Sequence, residues 1–352
     1  MHNNKRRVLF IVKQRYCYGE QTNAYGLYNS CDFISRYLNE IGVESKVVSV
    51  IDNNSIDREV SLYKPTDVFI EALWVVPEKF KILSNLHPNV KWHIRLHSKT
   101  SFIATENIAF EWINSYMKLR RNGIDINLSA NSEDFFDDLR TLFDEACVNF
   151  SPNIYYPSKP NNLCRYNEFK KYDDEIHIGL FGALRPLKNH LKQAMWAIEY
   201  SNKNEVPIAV HINASEHEIL NSNTSSVLKN IKNLFLNTNN NCRLIQHPWY
   251  PHAKFLNLVS KMDMGLQVSF SETFNITAAD FVYMGVPIVV SEEVKFVNPF
   301  SRVESSISNE EIVNVMNLST SFVSCGLNTM NKYLLNRSNV NSEKAWKKLL
   351  IA

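Results

Sequence analysis

The chain has 352 residues, of which 45% are hydrophobic, 12% aromatic and 21% charged. This composition excludes wholesale disorder, and the length suits two domains of ordinary size. Its 38 basic and 36 acidic residues leave a net charge of +2, which excludes a uniformly basic nucleic-acid-binding protein but not a local basic groove. No apolar run approaches the ~18 residues of a membrane span, and the six cysteines are scattered without metal-ligand spacing. We therefore expect a cytoplasmic protein with reduced thiols, no membrane span and no metal site.

The first half of the chain alternates strand and helix patterns. Apolar or alternating runs predict strands at residues 7–12, 43–50, 67–73, 90–97, 124–128 and 146–150. Apolar residues at helical spacing predict helices at residues 27–41, after Pro77, at 108–119 and at 135–143. Such alternation is typical of a mostly parallel sheet with helices on both faces.

A Pro- and Asn-rich stretch, residues 151–162, interrupts this pattern and is interpreted as a linker. Alternation then resumes, with strands predicted at residues 176–181, 206–212, 243–246, 264–268 and 287–290. Helices are predicted after Pro186, at 227–235, 252–262 and 276–284, from a capping box at 308–311, and at 342–350. The predicted fold class is α/β, with two doubly wound parallel-sheet domains facing a central cleft. We expect domains at 1–155 and 156–340, followed by a C-terminal helix at 341–352.

The stretch from residue 269 to 287 carries the most chemistry. It joins a predicted strand to a helix through a loop of small and polar residues, and it ends in Gly285-Val-Pro287. Glu272 lies in the loop, and Asp280 follows eight residues later within the helix. Free backbone N–H groups at a helix N-terminus favour anion binding. Taken singly, neither acid indicates a functional site. Glu272 is then more simply a solvated loop acid, and Asp280 a surface residue of the helix.

A second stretch, residues 179–188, places Arg185 and Lys188 three residues apart where a helix begins. This spacing puts both cations on one side, where they could bind an anionic ligand. The plainer alternative is an ordinary solvated basic pair.

Other polar residues follow predicted strands at the edge where ligands of open α/β sheets bind. His97 ends the strand at 90–97, Asn213 follows the strand at 206–212, and Gln246 and His247 end the strand at 243–246. A histidine at such an edge can donate a hydrogen bond or stabilise developing charge. An isolated histidine is more commonly structural. The aromatic Trp249 is a candidate for stacking on a ligand, and it is equally well explained as a core residue of a turn.

Together these motifs resemble the signature of one family with the GT-B fold. This family consists of the retaining nucleotide-sugar glycosyltransferases that are similar to glycosyltransferase family four. That signature is an acid, seven residues, a second acid, and a helix that ends in Gly-x-Pro. It is preceded by a strand, a glycine, and an Arg-x-x-Lys loop. Here the second acid is Asp280, where the family usually has Glu. The resemblance covers residues 176–290 and implies two Rossmann-like GT-B domains, the first for the acceptor and the second for the nucleotide sugar.

The resemblance implies a metal-independent transferase without a resident cofactor, whose co-substrate is a nucleotide sugar such as a UDP-sugar. By likeness, Arg185 and Lys188 hold the diphosphate, Glu272 and His97 contact the sugar, and Asp280 binds the ribose. The expected nucleotide contacts are completed by the following residues: Gly182, Asn213, Gln246, His247, Phe274, Asn275 and Ile276.

Residues 64–77 and 90–98 also resemble glycosyltransferases encoded by tailed bacteriophages. This likeness makes 5-hydroxymethylcytosine in phage DNA the leading acceptor, so that double-stranded DNA with a hydroxymethylated pyrimidine becomes a partner. Such an enzyme would have to extract the base from the stack, and its DNA contacts would come from a local basic patch. That patch would include Lys5, Arg6, Arg7, Lys13, Arg15, Lys118, Arg120 and Arg121. Two alternatives stay open: transfer to a surface glycan or small molecule, and a catalytically silent module that binds a sugar nucleotide or DNA.

Overall fold

The computed structural model describes residues 6–17, 20–22, 25–158, 174–214, 222–236, 238 and 241–351. The chain divides into two compact units. The first unit contains Met1–Pro157 together with Asn339–Ala352, and the second contains Ser158–Ser338. None of the helices in these described ranges combines the length and the apolarity needed to cross a membrane.

The first unit is built on a six-stranded parallel sheet with the order β4-β1-β5-β6-β7-β8. The strands of this sheet are β1 (Arg7–Lys13), β4 (Glu44–Val50), β5 (Asp67–Glu71), β6 (Lys91–Leu96), β7 (Ile126–Ala130) and β8 (Val148–Phe150). A small antiparallel hairpin is formed by β2 (Arg15–Cys17) and β3 (Glu20–Thr22). Its helices are α1 (Tyr25–Glu40), α2 (Ser55–Tyr63), α3 (Lys79–Leu86), α4 (Thr100–Ile103), α5 (Ala109–Arg121) and α6 (Glu133–Leu142). All six predicted strands are confirmed. The hairpin and the helix α2 were not expected.

The side chains of β1 explain why this sheet is covered on both faces. Leu9 and Ile11 belong to one buried apolar cluster, whereas Val8, Phe10 and Val12 belong to another. Because successive side chains of a strand point to opposite faces, a continuous apolar run requires apolar packing on both sides.

The C-terminal helix is longer than the sequence predicts. Helix α12 runs over Ser324–Leu350, whereas the pattern indicated residues 342–350. Its final part packs into the first unit: Trp346 is fully buried, its ring lies 5.8 Å from that of Phe10 and 5.2 Å from that of Phe69, and its Nε1–H donates to the carbonyl of Pro152 at 2.8 Å. The apolar period of α12 is weak before this point, which is why its start was missed.

The second unit contains another six-stranded parallel sheet, with the order β11-β10-β9-β12-β13-β14. Its strands are β9 (Ile176–Leu180), β10 (Ile208–Asn213), β11 (Cys242–His247), β12 (Met264–Gln267), β13 (Ile288–Ser291) and β14 (Arg302–Val303). Its helices are α7 (His190–Asn204), α8 (Ser222–Leu236), α9 (His252–Val259), α10 (Ile276–Met284) and α11 (Asn309–Thr320). The five predicted strands are confirmed, and the two-residue β14 was missed.

The strand order of the second unit defines where a ligand can bind. Counted within the unit, the order is the 3-2-1-4-5-6 of a dinucleotide-binding Rossmann sheet. It reverses direction between the neighbouring strands β9 and β12, and ligands of such sheets bind beyond the carboxyl ends of the strands at that switch point. The loops that follow β9 and β12 are therefore the place to look for chemistry.

Candidate functional site

Hydrogen bonds join the two switch-point loops of the second unit. The amide of Asn189 donates to the carbonyl of Val268 at 3.1 Å, and the N–H of Phe270 donates to the carbonyl of Leu187 at 2.9 Å. The side chain of Gln193 accepts from the N–H of Val268 at 3.0 Å. These bonds tie the loop with the predicted cations to the loop with the predicted acid.

Glu272 is the centre of the resulting cluster and is 6% exposed. Its Oε1 accepts from Lys188 Nζ at 2.5 Å, from Ser269 Oγ at 2.8 Å and from Asn275 Nδ2 at 3.0 Å. The carboxylate oxygen Oε1 of Glu272 thus brings together three of the predicted site residues, namely Lys188, Glu272 itself and Asn275. Burial of this charge is offset by the ammonium group and by the two further donors.

Asn275 shapes the start of helix α10. It has a left-handed backbone with φ of 63°, a conformation that asparagine tolerates better than most residues. Its Oδ1 accepts from the N–H of Ala278 at 2.8 Å and so caps the helix. The capped first turn starts with Ile276 and follows Phe274, whose ring packs 5.0 Å from that of Phe296.

The loop after β9 contains the predicted cations and a buried amide. The chain first forms a 3-10 turn over Pro186–Lys188, and α7 begins only at His190, so Arg185 and Lys188 precede the helix instead of opening it. Arg185 is exposed. Gly182, with φ of 114°, donates its N–H to Oδ1 of Asn213 at 3.3 Å.

The buried amide of Asn213 is a candidate contact for a ligand. Its side chain is 2% exposed, and its Nδ2 has no hydrogen-bond partner among the residues that the structure describes. A buried amide donor without a partner costs free energy. A ligand oxygen beside Gly182 would recover that cost.

Asp280 has a protein partner that the sequence did not reveal. It lies inside α10, is 1% exposed, and its Oδ1 is 2.7 Å from Nε2 of His252 at the start of α9. Sequence reasoning did not select His252, because only the packing of α9 against α10 brings it to Asp280.

A row of three histidines crosses the second sheet. His177 Nδ1 lies 2.9 Å from His211 Nε2, and His211 Nδ1 lies 2.8 Å from His247 Nε2. Burial and the adjacent imidazoles lower the pKa of His211 to about 3, and burial also lowers the pKa of His247. His247 is therefore hydrogen-bonded to a neutral imidazole, that of His211, while its neighbour Gln246 is exposed. The histidines at 177 and 211 were not among the predicted site residues.

In the first unit, His97 belongs to a buried polar network at the carboxyl ends of β5 and β6. Its Nε2 is hydrogen-bonded to Oε2 of Glu71, and its Nδ1 lies 3.2 Å from Nδ2 of Asn131. Arg95 donates to the same oxygen of Glu71 at 3.0 Å, and neither Glu71 nor Arg95 is exposed to solvent. Burial and the charge of Arg95 lower the pKa of His97, although Glu71 opposes that shift.

No family model matches the sequence, and no curated protein matches it. The fold, in contrast, is found in solved structures. Anabaena HepE in complex with UDP and glucose superposes with a TM-score of 0.63 at 12% identity, over 98% of this chain and 99% of HepE. An UDP-forming α,α-trehalose-phosphate synthase from Burkholderia xenovorans gives 0.64 at 9% identity, over 98% and 97% of the two chains. A glycosyltransferase from Rickettsia africae ESF-5 gives 0.61 at 14% identity, over 98% and 97%.

These similarities establish the architecture. The chain has the GT-B fold, with two Rossmann-like units that each contain a six-stranded parallel sheet with flanking helices. The expected fold class is confirmed in this respect. A fold shared at so low an identity does not by itself fix an activity. The function therefore has to be inferred from the residues clustered around Glu272.

Proposed function

We propose that the protein is a glycosyltransferase that moves a sugar from a nucleotide sugar, a UDP-sugar, to an acceptor hydroxyl. One observation carries the proposal: Lys188, Glu272 and the capped N-terminus of α10 converge at the switch point of a Rossmann-like sheet. Cationic and N–H groups at that position suit a diphosphate, and a carboxylate beside them suits sugar hydroxyls. The structural neighbours that were solved with UDP and glucose, or that form UDP, agree with this chemistry.

The proposed donor contacts all come from residues of the second unit. Lys188 and Arg185 neutralise the diphosphate, whose charge grows as the glycosidic bond breaks. The backbone of Phe274, Asn275 and Ile276 supplies N–H groups, and the buried Nδ2 of Asn213, beside Gly182, supplies a further donor. The carboxylate of Asp280 accepts hydrogen bonds from the ribose diol, and Gln246 and His247 flank the base.

The sugar contacts and the stereochemical outcome are the finer part of the proposal. Glu272 contacts hydroxyls of the donor sugar, and His97 of the first unit contacts a sugar hydroxyl. We propose retention of the anomeric configuration because the motifs resemble retaining enzymes. We also propose that the two cations do the work of a metal ion at the diphosphate.

For the acceptor, we propose 5-hydroxymethylcytosine in DNA, with a surface glycan or small molecule as the alternative. The support is the likeness of residues 64–77 and 90–98 to phage-encoded glycosyltransferases. Of the expected basic patch, Lys5 and the side chain of Arg15 lie outside the described residues, while Lys13 is exposed. Comparing turnover on hydroxymethylated duplex, plain duplex and free glycans tests the proposal. Equal rates on all three would exclude DNA as the preferred acceptor.

The decisive experiment for the donor is UDP release from a panel of UDP-sugars. The double variant R185A/K188A should lose release, because the leaving diphosphate loses both cations. The matched control is K229A/K232A, which removes two lysines at the same spacing from α8 of the same unit. Unchanged release in R185A/K188A would exclude the phosphate assignment. Tight UDP binding without turnover on any sugar would instead indicate a silent binding module.

A further inference from the structure

A buried charge cluster lies at the carboxyl edge of the first sheet. Glu71 ends β5 and pairs in register with Arg95 of β6, and His97 follows directly after β6. The side chains of Glu71 and Arg95 are fully buried, whereas that of His97 is 12% exposed. Of the three residues, only His97 therefore reaches solvent where a ligand could contact it.

Arg95 keeps Glu71 ionised. Its guanidinium donates to Oε2 of Glu71 at 3.0 Å and also to the carbonyl of Ser151 and the side chain of Asn153, so its charge is well satisfied. Arg95 and His97 together outweigh the effect of burial and lower the pKa of Glu71. An ionised carboxylate has no proton to donate, and it can only accept hydrogen bonds.

This constraint fixes the proton on the imidazole of His97. Because Glu71 can only accept, the bond between its Oε2 and Nε2 of His97 requires the proton to be on Nε2. In a neutral ring, Nδ1 then carries a lone pair. The amide Nδ2 of Asn131 lies 3.2 Å from Nδ1, and with this tautomer it can donate to that lone pair.

We propose that Glu71 is a positioning residue that holds His97 in the tautomer protonated at Nε2, so that Nδ1 accepts a hydrogen bond from a sugar hydroxyl. The proposal rests on the proposed function, because it names how a residue of that enzyme meets its sugar. It assigns to His97 the role of an acceptor, since its one N–H is used by Glu71. A sugar hydroxyl that donates to Nδ1 would replace the amide of Asn131 there.

The arrangement also explains why the residue hydrogen-bonded to the imidazole of His97 is a carboxylate, Glu71, and not an amide. A glutamine at position 71 offers both an oxygen and an NH2 group, so it can pair with either tautomer. Only the ionised acid excludes the form protonated at Nδ1. The ring orientation is secured as well, because both nitrogens have partners within the fold.

The test is nitrogen NMR of the protein labelled with ¹⁵N-histidine, in which two-bond couplings distinguish the protonated from the unprotonated ring nitrogen. The variant H97Q assigns the signals of His97. In the wild-type protein, His97 should show a protonated Nε2 and an unprotonated Nδ1. In E71Q, the two nitrogens should move toward averaged shifts as both tautomers become populated. In E111Q, which changes an exposed acid of α5, the signals should stay in place.

Each result either supports or overturns the proposal that Glu71 holds His97 in the tautomer protonated at Nε2. A wild-type His97 protonated at Nδ1, or E71Q signals identical to those of wild type, would overturn the proposal. If E71Q fails to fold because Arg95 loses its partner, the wild-type spectrum still decides. The variant N131A provides a second measurement: it should keep the Nε2–H tautomer, and a loss of that tautomer would assign the positioning role to Asn131 instead.

Activity adds a separate readout. With the UDP-sugar that supports turnover, E71Q should lower kcat by about 10–100-fold, the size of a lost hydrogen bond to a charged or reacting group, with little change in UDP affinity. A fall in UDP affinity with unchanged kcat would contradict the assignment. If no UDP-sugar is turned over, the proposed function fails while the NMR result still decides the role of Glu71.

Discussion

Lys188 Nζ lies 2.5 Å from Glu272 Oε1, although 84 positions separate the two residues in the chain. The pair connects the loop after β9 to the loop after β12. The pair neutralises a buried acid with the cation that we assign to the diphosphate. A diphosphate that binds Lys188 would share its ammonium group, which has three N–H donors, with Glu272, whose carboxylate is also held by Ser269 and Asn275.

The energetic link between these two residues can be measured by a double-mutant cycle of K188M and E272Q. K188M alone should lower the free energy of unfolding by about 1–3 kcal/mol, because it leaves a buried carboxylate with one donor fewer. The coupling energy between the two changes should be about 0.5–3 kcal/mol. Urea unfolding measures all four proteins.

The control for this cycle is the pair of Lys203, which is exposed, and Glu199, which is partly exposed; both lie in α7 and their charged atoms are 3.9 Å apart. A pair of this kind is expected to couple by only about 0.3–0.5 kcal/mol. Equal coupling in the two cycles would mean that burial gives the Lys188–Glu272 pair no added strength.

Asp280 is predicted to recognise the ribose, and a modified donor tests this directly. The wild-type protein should bind a 2′-deoxyribose donor about 10–100-fold more weakly than the normal UDP-sugar, the size of one hydrogen bond to a charged group. In D280A this preference should vanish, since the carboxylate that reads the hydroxyl is gone. Titration calorimetry with both nucleotides gives the two ratios.

The matched variant is H252Q, which removes the imidazole partner of Asp280 and keeps the carboxylate. H252Q should still distinguish the two donors. If D280A retains the full preference for the 2′-hydroxyl, the ribose contact belongs to another residue.

Trp346 is predicted to stabilise the first unit. W346A should lower the free energy of unfolding by about 3–5 kcal/mol, because it empties a fully buried site beside Phe10 and Phe69. W346F should cost less, since it keeps an aromatic ring while it loses the N–H that donates to Pro152. Chemical denaturation followed by circular dichroism gives the values.

The neighbouring exposed residue provides the control for this prediction. K347A should change stability by no more than about 0.5 kcal/mol. A loss in W346A as small as that in K347A would show that the end of α12 contributes little to the first unit.

His211 is predicted to make stability depend on pH. Its pKa is about 3 in the folded protein, because of burial and of the neighbouring His247, His177 and Arg243, whereas an unfolded histidine titrates near its usual value of about 6.5. The unfolded state therefore binds more protons as the pH falls below about 6.5. This residue alone should lower the free energy of unfolding by up to about 1.4 kcal/mol per pH unit until the pH approaches 3.

The variant H211N isolates this contribution. At about pH 7.5 it should be less stable than wild type, because the row of imidazoles loses its central member, and at about pH 5 the difference should shrink. His190, whose pKa is also lowered to about 3 by burial, is present in both proteins and affects them equally. Parallel pH curves for the two proteins would contradict the prediction.

Much of the fold was predictable because its strands are buried on both faces. The run that became β1 is continuously apolar, and the run that became β6 alternates apolar and polar residues, so each pattern indicates a strand. The elements that were missed lack this signal. β14 has two residues, and α2 buries only Ile56 and Val60 beneath an otherwise polar surface.

The candidate site was predictable only where chain order is enough. Lys188 and Glu272 each follow a strand, and the order of neighbouring strands brings their loops together. The pairing of His97 with Glu71 depends instead on the register of β5 against β6, in which Glu71 lies opposite Arg95. The row of histidines likewise depends on the register of β10 against β9, which places His211 opposite Gly179. Hydrophobic patterns fix which face a residue occupies, but not which residue lies beside it.

The position of Trp346 has a consequence for how the chain folds during synthesis. Trp346 closes the core of the first unit, yet the ribosome adds it 194 positions after Pro152, to which it is hydrogen-bonded. A nascent chain whose first sheet has emerged must therefore wait for the whole second unit to be translated before that core is complete. During this interval the apolar surface around Phe10 and Phe69 lacks the cover that Trp346 provides, which leaves the nascent chain prone to aggregation.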